Sequence, residues 1–132
     1  MINSLVSLTG MSAATDRLEA IASNVANISS GGGLPKAGAP IGQEAYQPIR
    51  VEQSSQGGLG GTYATMRSTT PAYLAVYDPQ ASYADESGMA AMPNVDPVQE
   101  MTGLVEAEAS FTVNAKTLQA QNDLVKKLYD LV

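Results

Sequence analysis

A chain of 132 residues with seven basic and thirteen acidic side chains carries a net charge of −6, which argues against nucleic acid or an anionic membrane as a partner. It holds no cysteine and no histidine, so disulfides, thiolate metal sites, cysteine nucleophiles and imidazole general bases are excluded by inventory. With no Trp and a single Phe, helix faces rather than large rings must carry most of the burial.

From about Ser4 to Asn27 the residues Leu8, Met11, Thr15, Leu18, Ala22 and Val25 recur by alternating steps of three and four, which places them on one face of a helix. Leu5 and Ile21 widen this stripe, while Asp16, Arg17 and Glu19 fall largely outside it. Ser29, Ser30 and Gly31 supply a stop. The stretch Met1 to Thr15 lacks a basic start and a continuous apolar core, so neither a cleaved signal peptide nor a membrane anchor is expected.

From Ser29 to Asn94, Gly31 to Gly33, Pro35, Pro40, Gly57, Gly58, Gly60, Gly61, Pro71, Pro79 and Pro93 interrupt any helix. Tyr46 to Glu52, Thr62 to Arg67 and Ala72 to Tyr77 are rich enough in Tyr, Thr, Val and Ile to read as short strands, and the glycines between the first two suit a hairpin. Ser29 to Glu44 has little to bury and reads as a loop that stays flexible until a partner covers it.

Asp96, Pro97 and Gln99 form a helix start: a capping carboxylate, a proline at the first position and a return acceptor. Leu104, Ala107, Phe111, Asn114, Leu118, Gln121, Val125, Leu128 and Val132 again step by three and four to the last residue. Such a helix would extend roughly 50 Å. Met101, Val105 and Leu124 add a second apolar row, which leaves surface for another subunit. The predicted fold is mainly α, with long terminal helices (1–28 and 96–132) forming one helical domain in a coiled-coil-like bundle and a small β-hairpin, loop-rich middle (29–95).

The glycine runs lack the Lys and Ser/Thr of a phosphate-binding loop, and Asp78, Asp85, Glu86 and Asp96 lack the spacing of a calcium loop. No catalytic, cofactor-binding or metal-ligating residue, and no small-molecule substrate, is expected. Asn24, Asn27 and Asn114 each admit two readings: a solvated or helix-capping polar group, or a buried amide that fixes helix register.

The run Leu18 to Asn27, with Asn24 and Asn27 at its end, resembles the N-terminal helix motif of flagellar rod, hook and hook-associated proteins. Val76-Tyr77-Asp78-Pro79, then Ala84-Asp85 and Gly88, then Met92-Pro93-Asn94-Val95-Asp96 with Val98, Glu100 and Met101, is similar to the signature of the proximal-rod members of that family. The resemblance implies a structural, non-enzymatic subunit of the bacterial flagellar basal body that assembles through its terminal helices into the axial shaft transmitting torque for motility. It further implies export through the flagellar type III apparatus without a cleaved signal, and location in the periplasmic rod. The implied partners are other copies, other rod proteins and basal-body components at the membrane ring. The residues expected to pack between subunits are Leu8, Met11, Leu18, Ala22 and Val25 from the first helix, and Leu104, Phe111, Asn114, Leu118, Val125 and Leu128 from the second. A helical export chaperone or adaptor, which would share the acidic charge and amphipathic helices, is the alternative.

Overall fold

The computed structural model describes residues 2–35, 44–55, 57, 58 and 60–131; the 36–43 part of the expected loop and Val132 of the expected seam lie outside the described residues. Two long helices, α1 (Ile2–Ala26) and α2 (Pro97–Tyr129), frame four strands: β1 (Ile49–Ser55), β2 (Thr62–Ser68), β3 (Tyr73–Tyr77) and β4 (Met89–Pro93). The mainly α reading with a small hairpin-rich middle therefore holds. Helix α2 starts where its sequence signals place it. Asp96 caps it in an extended conformation, its carboxylate accepting from the Val98 and Gln99 amides, and Pro97 opens the first turn. Its 33 residues span about 50 Å.

The helices run antiparallel. Contacts climb one helix as they descend the other: Ser4 Oγ donates to Gln121 Oε1, Gly10 lies under Asn114, Arg17 pairs with Glu106, Ile21 covers Gly103, and Asn24 meets Glu100. The face that α1 presents is small: Ser7, Ala14 and Ile21 are buried at seven-residue spacing, with Gly10 between. A Cβ on Gly10 would stand 2.8 Å from the Asn114 amide, and one on Gly103 would stand 3.2 Å from Ile21 Cδ1. Both helices thus keep a glycine in mid-helix at a cost of roughly 1 kcal/mol each, and gain close approach.

The antiparallel β1–β2 hairpin lies along another flank of α1. Its base is held at Asn24 and its turn at Thr9, whose hydroxyl accepts from the Thr62 amide and fills the space a side chain on Gly61 would need. Ala13 and Ala20 are buried on this flank. Strand β4 is not among the three strands expected from the sequence. Met89–Pro93 instead pairs antiparallel with β3 on one edge and exchanges two backbone bonds with Gly32 through Ala91 on the other. Ala90 and Ala91 are fully buried there.

The described ends of the Ser29 to Glu44 stretch, expected to stay flexible until a partner covers it, are held within the chain. Gly31 sits against Met92, Tyr83 and the Ala91 carbonyl, and the Tyr46 amide donates to Ser30 O, so both ends of that loop are tied down. The sequence offered no hydrophobic residue as a clue because the ties are backbone bonds and a missing Cβ. Among the described residues, no helix is long and apolar enough to cross a membrane.

Candidate functional site: a saturated polar junction and an open apolar face

Asn24 stands where α1, β1 and α2 meet. It is 3% exposed, and its amide uses all four of its hydrogen-bonding positions. Nδ2 donates to Ile49 O (2.8 Å) and to Glu100 Oε1 (2.7 Å), while Oδ1 accepts from the Ile49 amide (2.9 Å) and the Tyr46 hydroxyl (3.1 Å). The side chain thereby imitates a neighbouring strand for Ile49, satisfying that residue's N–H and C=O together. Tyr46 OH is also 2.8 Å from Ser23 Oγ. Asn24 and Glu100, motif residues from opposite ends of the chain, thus touch. The other two asparagines do local work. Asn27 donates to Ser23 O at the end of α1 and accepts from Ser30, and Asn114 donates to Ser110 O one turn back in α2 while lying over Gly10.

The remaining motif residues build the turn between β3 and β4 and its exit into α2. Gly88, at φ +74°, lets the Tyr77 ring and Pro79 approach to about 3 Å of where its Cβ would be. The Asp85 carboxylate accepts from the Ser87 and Met89 amides. Asn94 donates from its side chain to Pro71 O and from its backbone to Ala72 O, Pro93 is buried, and Asp96 caps α2. Asp78 accepts from the Gln80 amide, so these acids serve the backbone one by one. Among the described residues no three acidic side chains gather as a metal site.

The expected packing residues divide in two. Asn114 and Leu118, with Ala107 before them and Gln121 beyond, face α1 within the chain. The rest turn outward: Leu8, Ala22 and Val25 on α1, and Leu104, Phe111, Val125 and Leu128 on α2, are exposed, with Met11 and Leu18 half-buried. Motif residues Met92 and Met101 differ likewise, the first against Gly31 and the second 70% exposed. Residues 100° apart around each helix put Leu8, Met11 and Leu18 on the flank of α1 turned from the hairpin. Met101, Leu104 and Val105 fall on the matching flank of α2, whereas Gln99 and Arg17 line a hollow on the hairpin side with Ile49 and Arg50. The two helices therefore share one open apolar face.

Past Gln121, which accepts from Ser4 in the first turn of α1, helix α2 runs on to Tyr129. Leu124, Val125, Leu128, Tyr129 and Leu131 project from an overhang of about 12 Å, each at least half exposed. The described hydrophobic core consists of seven alanines and one isoleucine, so the chain buries its small side chains and displays its large ones. That is the reverse of a monomeric domain.

The roles missed by sequence reasoning are those of Tyr46, Ser23, Gly10 and Gly103. Glycines inside two otherwise regular helices were the available signal, since their cost is offset only where another backbone comes close.

Comparison with known proteins agrees with this geometry. Residues 5–33 match the family profile described as "Flagella basal body rod protein", and residues 86–131 match "Flagellar basal body rod FlgEFG protein C-terminal". The chain is 32% identical to the flagellar basal-body rod protein FlgC of Yersinia enterocolitica and 30% identical to that of Salmonella typhimurium, over 93% of this chain and 90% of either relative. It is 27% identical to the FlgC of Aquifex aeolicus over 95% of this chain and 91% of that protein. Similarity over nearly the whole of both chains disfavours the chaperone alternative. The chain belongs to the FlgC family of flagellar basal-body rod proteins, structural components rather than enzymes.

Proposed function

We propose that this rod subunit is held in the axial shaft by the open apolar face and overhang of its helix pair. The observation that carries the reading is the set of exposed aliphatic side chains on both helices, Leu8 and Val25 on one and Leu104, Val105 and Leu128 on the other. Leaving them in water is costly at roughly 25 cal/mol per Å² of apolar surface, and neighbours in an assembly remove that cost. Helices 1–28 and 96–132 act as one axial unit whose exposed seams continue into a coiled-coil-like bundle with adjoining subunits, while 29–95 makes the outer contacts. The partners are further copies, other rod proteins and the components at the membrane ring.

The subunit works in the proximal, periplasmic part of the rod and transmits torque. Export proceeds through the flagellar type III apparatus, without a cleaved signal. The polar junction at Asn24 suits this mechanical role, because a fully bonded amide joins three elements in one geometry.

The test is a pair of outward changes. Leu8→Asp with Leu104→Asp should leave the thermal unfolding of the purified chain within a few degrees of native, because neither side chain is buried within it. The same variant should be missing from purified basal bodies and fail to restore swimming to cells lacking the native chain. Normal swimming by that variant would contradict the assignment of this face.

A further inference from the structure

Strand β3 pairs with β4 along one edge and, among the described residues, with nothing along the other. The register decides which backbone groups that outer edge presents. The Asp78 amide donates to Gly88 O and the Asn94 amide to Ala72 O, so antiparallel alternation turns the groups of Ala72, Leu74, Val76 and Asp78 toward β4. Ala91, which stands opposite Ala75, exchanges both of its bonds with Gly32 instead. The N–H and C=O of Tyr73, Ala75 and Tyr77 therefore point outward, and they have no partner among the described residues.

The edge is also unguarded. Tyr73-Leu74-Ala75-Val76-Tyr77 carries no charge and no proline, and Leu74, Val76 and Tyr77 are 51%, 42% and 69% exposed. Natural sheets blunt an open edge with lysine, proline or a bulge unless a strand is added there. The strand itself says what fits: it is nearly palindromic about Ala75, with tyrosine at both ends and an aliphatic residue at both inner positions. We propose that β3 of a second copy adds antiparallel to this edge about a two-fold axis at Ala75, joining two β3–β4 hairpins into one four-stranded sheet.

In that register Ala75 meets its own counterpart and Tyr73 meets Tyr77, so all three outward residues of each copy are bonded at once. Shifting the register by two residues either way would set Tyr73 against Pro79 or Tyr77 against Pro71, neither of which has an N–H to give. Leu74 falls beside Val76 at the non-bonded positions, where facing side chains stand closest. Asp78, the nearest charge, falls opposite Ala72, so no like charges confront each other.

A seam of five residues is about 17 Å long, well short of a permanent interface, so the pair is reversible. A two-fold contact closes on itself and does not propagate. The pair is thus a state of the free subunit, and it stands or falls independently of the contacts that hold the rod.

A chain without cysteine permits a direct test. Across the two-fold, Ala75→Cys brings two thiols onto Cα atoms about 5.5 Å apart, within disulfide range, whereas Tyr73→Cys holds them about 14 Å apart. Under mild oxidation of the purified full chain, Ala75→Cys should form a linked pair at least about tenfold faster than Tyr73→Cys, and Tyr73→Cys mixed with Tyr77→Cys should give mixed pairs. Equal rates for Ala75→Cys and Tyr73→Cys, or no pair from either, would overturn the proposal. Charge at the same exposed position gives a second reading. Ala75→Lys and Ala75→Glu, each alone, should sediment as single chains at concentrations where the native chain approaches twice its 13.7 kDa, and an equimolar mixture of the two should regain the doubled mass. Association of Ala75→Lys alone to the native extent would contradict a two-fold at this residue.

Discussion

The junction around Asn24 and the far end of α2 show opposite solutions on the same pair of helices. At the junction a buried amide spends every donor and acceptor on partners inside the chain, and the helix pair beyond it closes on Ile21 against Gly103 and Gly10 against Asn114. At the overhang, five large apolar side chains are each at least half exposed. The difference teaches that the internal interface selects geometry, through close approach and directed hydrogen bonds, while the large apolar side chains of the overhang are left on the chain's surface.

The comparison breaks most readily at Asn24. Asn24→Leu should lower the stability of the isolated chain by about 3 kcal/mol, because it strands the Ile49 N–H and C=O and removes a partner from the Tyr46 hydroxyl and the Glu100 carboxylate at once; denaturant titration reads the loss directly. Ala107→Leu comes next. Ala107 is fully buried on the close-packed face, so the larger side chain should force the helices apart and cost about 2 kcal/mol by the same titration. Leu128→Ala is the counterpart on the outer surface, and should move stability by less than about 0.5 kcal/mol while reducing swimming.

The smallest effect belongs to the hairpin. The Arg50 hydrogen bond first, then the Arg67 guanidinium, hold the Glu52 carboxyl below the usual carboxylate range. A folded-state value below the unfolded one adds stability above the unfolded value and loses it as pH falls through the folded one. Glu52→Gln should therefore be slightly less stable at neutral pH and equal to native in strong acid. Added salt should shrink the difference, because the group is exposed.

How far the sequence disclosed this arrangement depends on what kind of residue carried each feature. The start of α2 was legible because Asp96 and Pro97 act locally, through a cap and a fixed φ. The periodic aliphatics announced both helices but not which face would turn inward. The inner face of α1 is Ser7, Gly10 and Ala14, whose hydropathy says little, and hydrophobic stripes mark burial without saying in what. Strand β4 escaped because Met89-Ala90-Ala91 has no β-branched or aromatic residue, and its pairing is decided by β3 and Gly32 from outside. Tyr46 read as the first residue of a strand, yet its hydroxyl reaches Asn24 and Ser23 across 22 residues or more, a distance that no local pattern registers.

The central claim is that the large apolar side chains belong to the assembly and the small ones to the chain. Thiol labelling of three single variants, Ala107→Cys, Leu104→Cys and Leu128→Cys, compared between purified subunit and intact basal body, tests it most directly. The account predicts slow labelling at position 107 in both states, and fast labelling at 104 and 128 in the free subunit that slows by at least tenfold in the basal body. Equal, fast labelling of positions 104 and 128 in both states would contradict it.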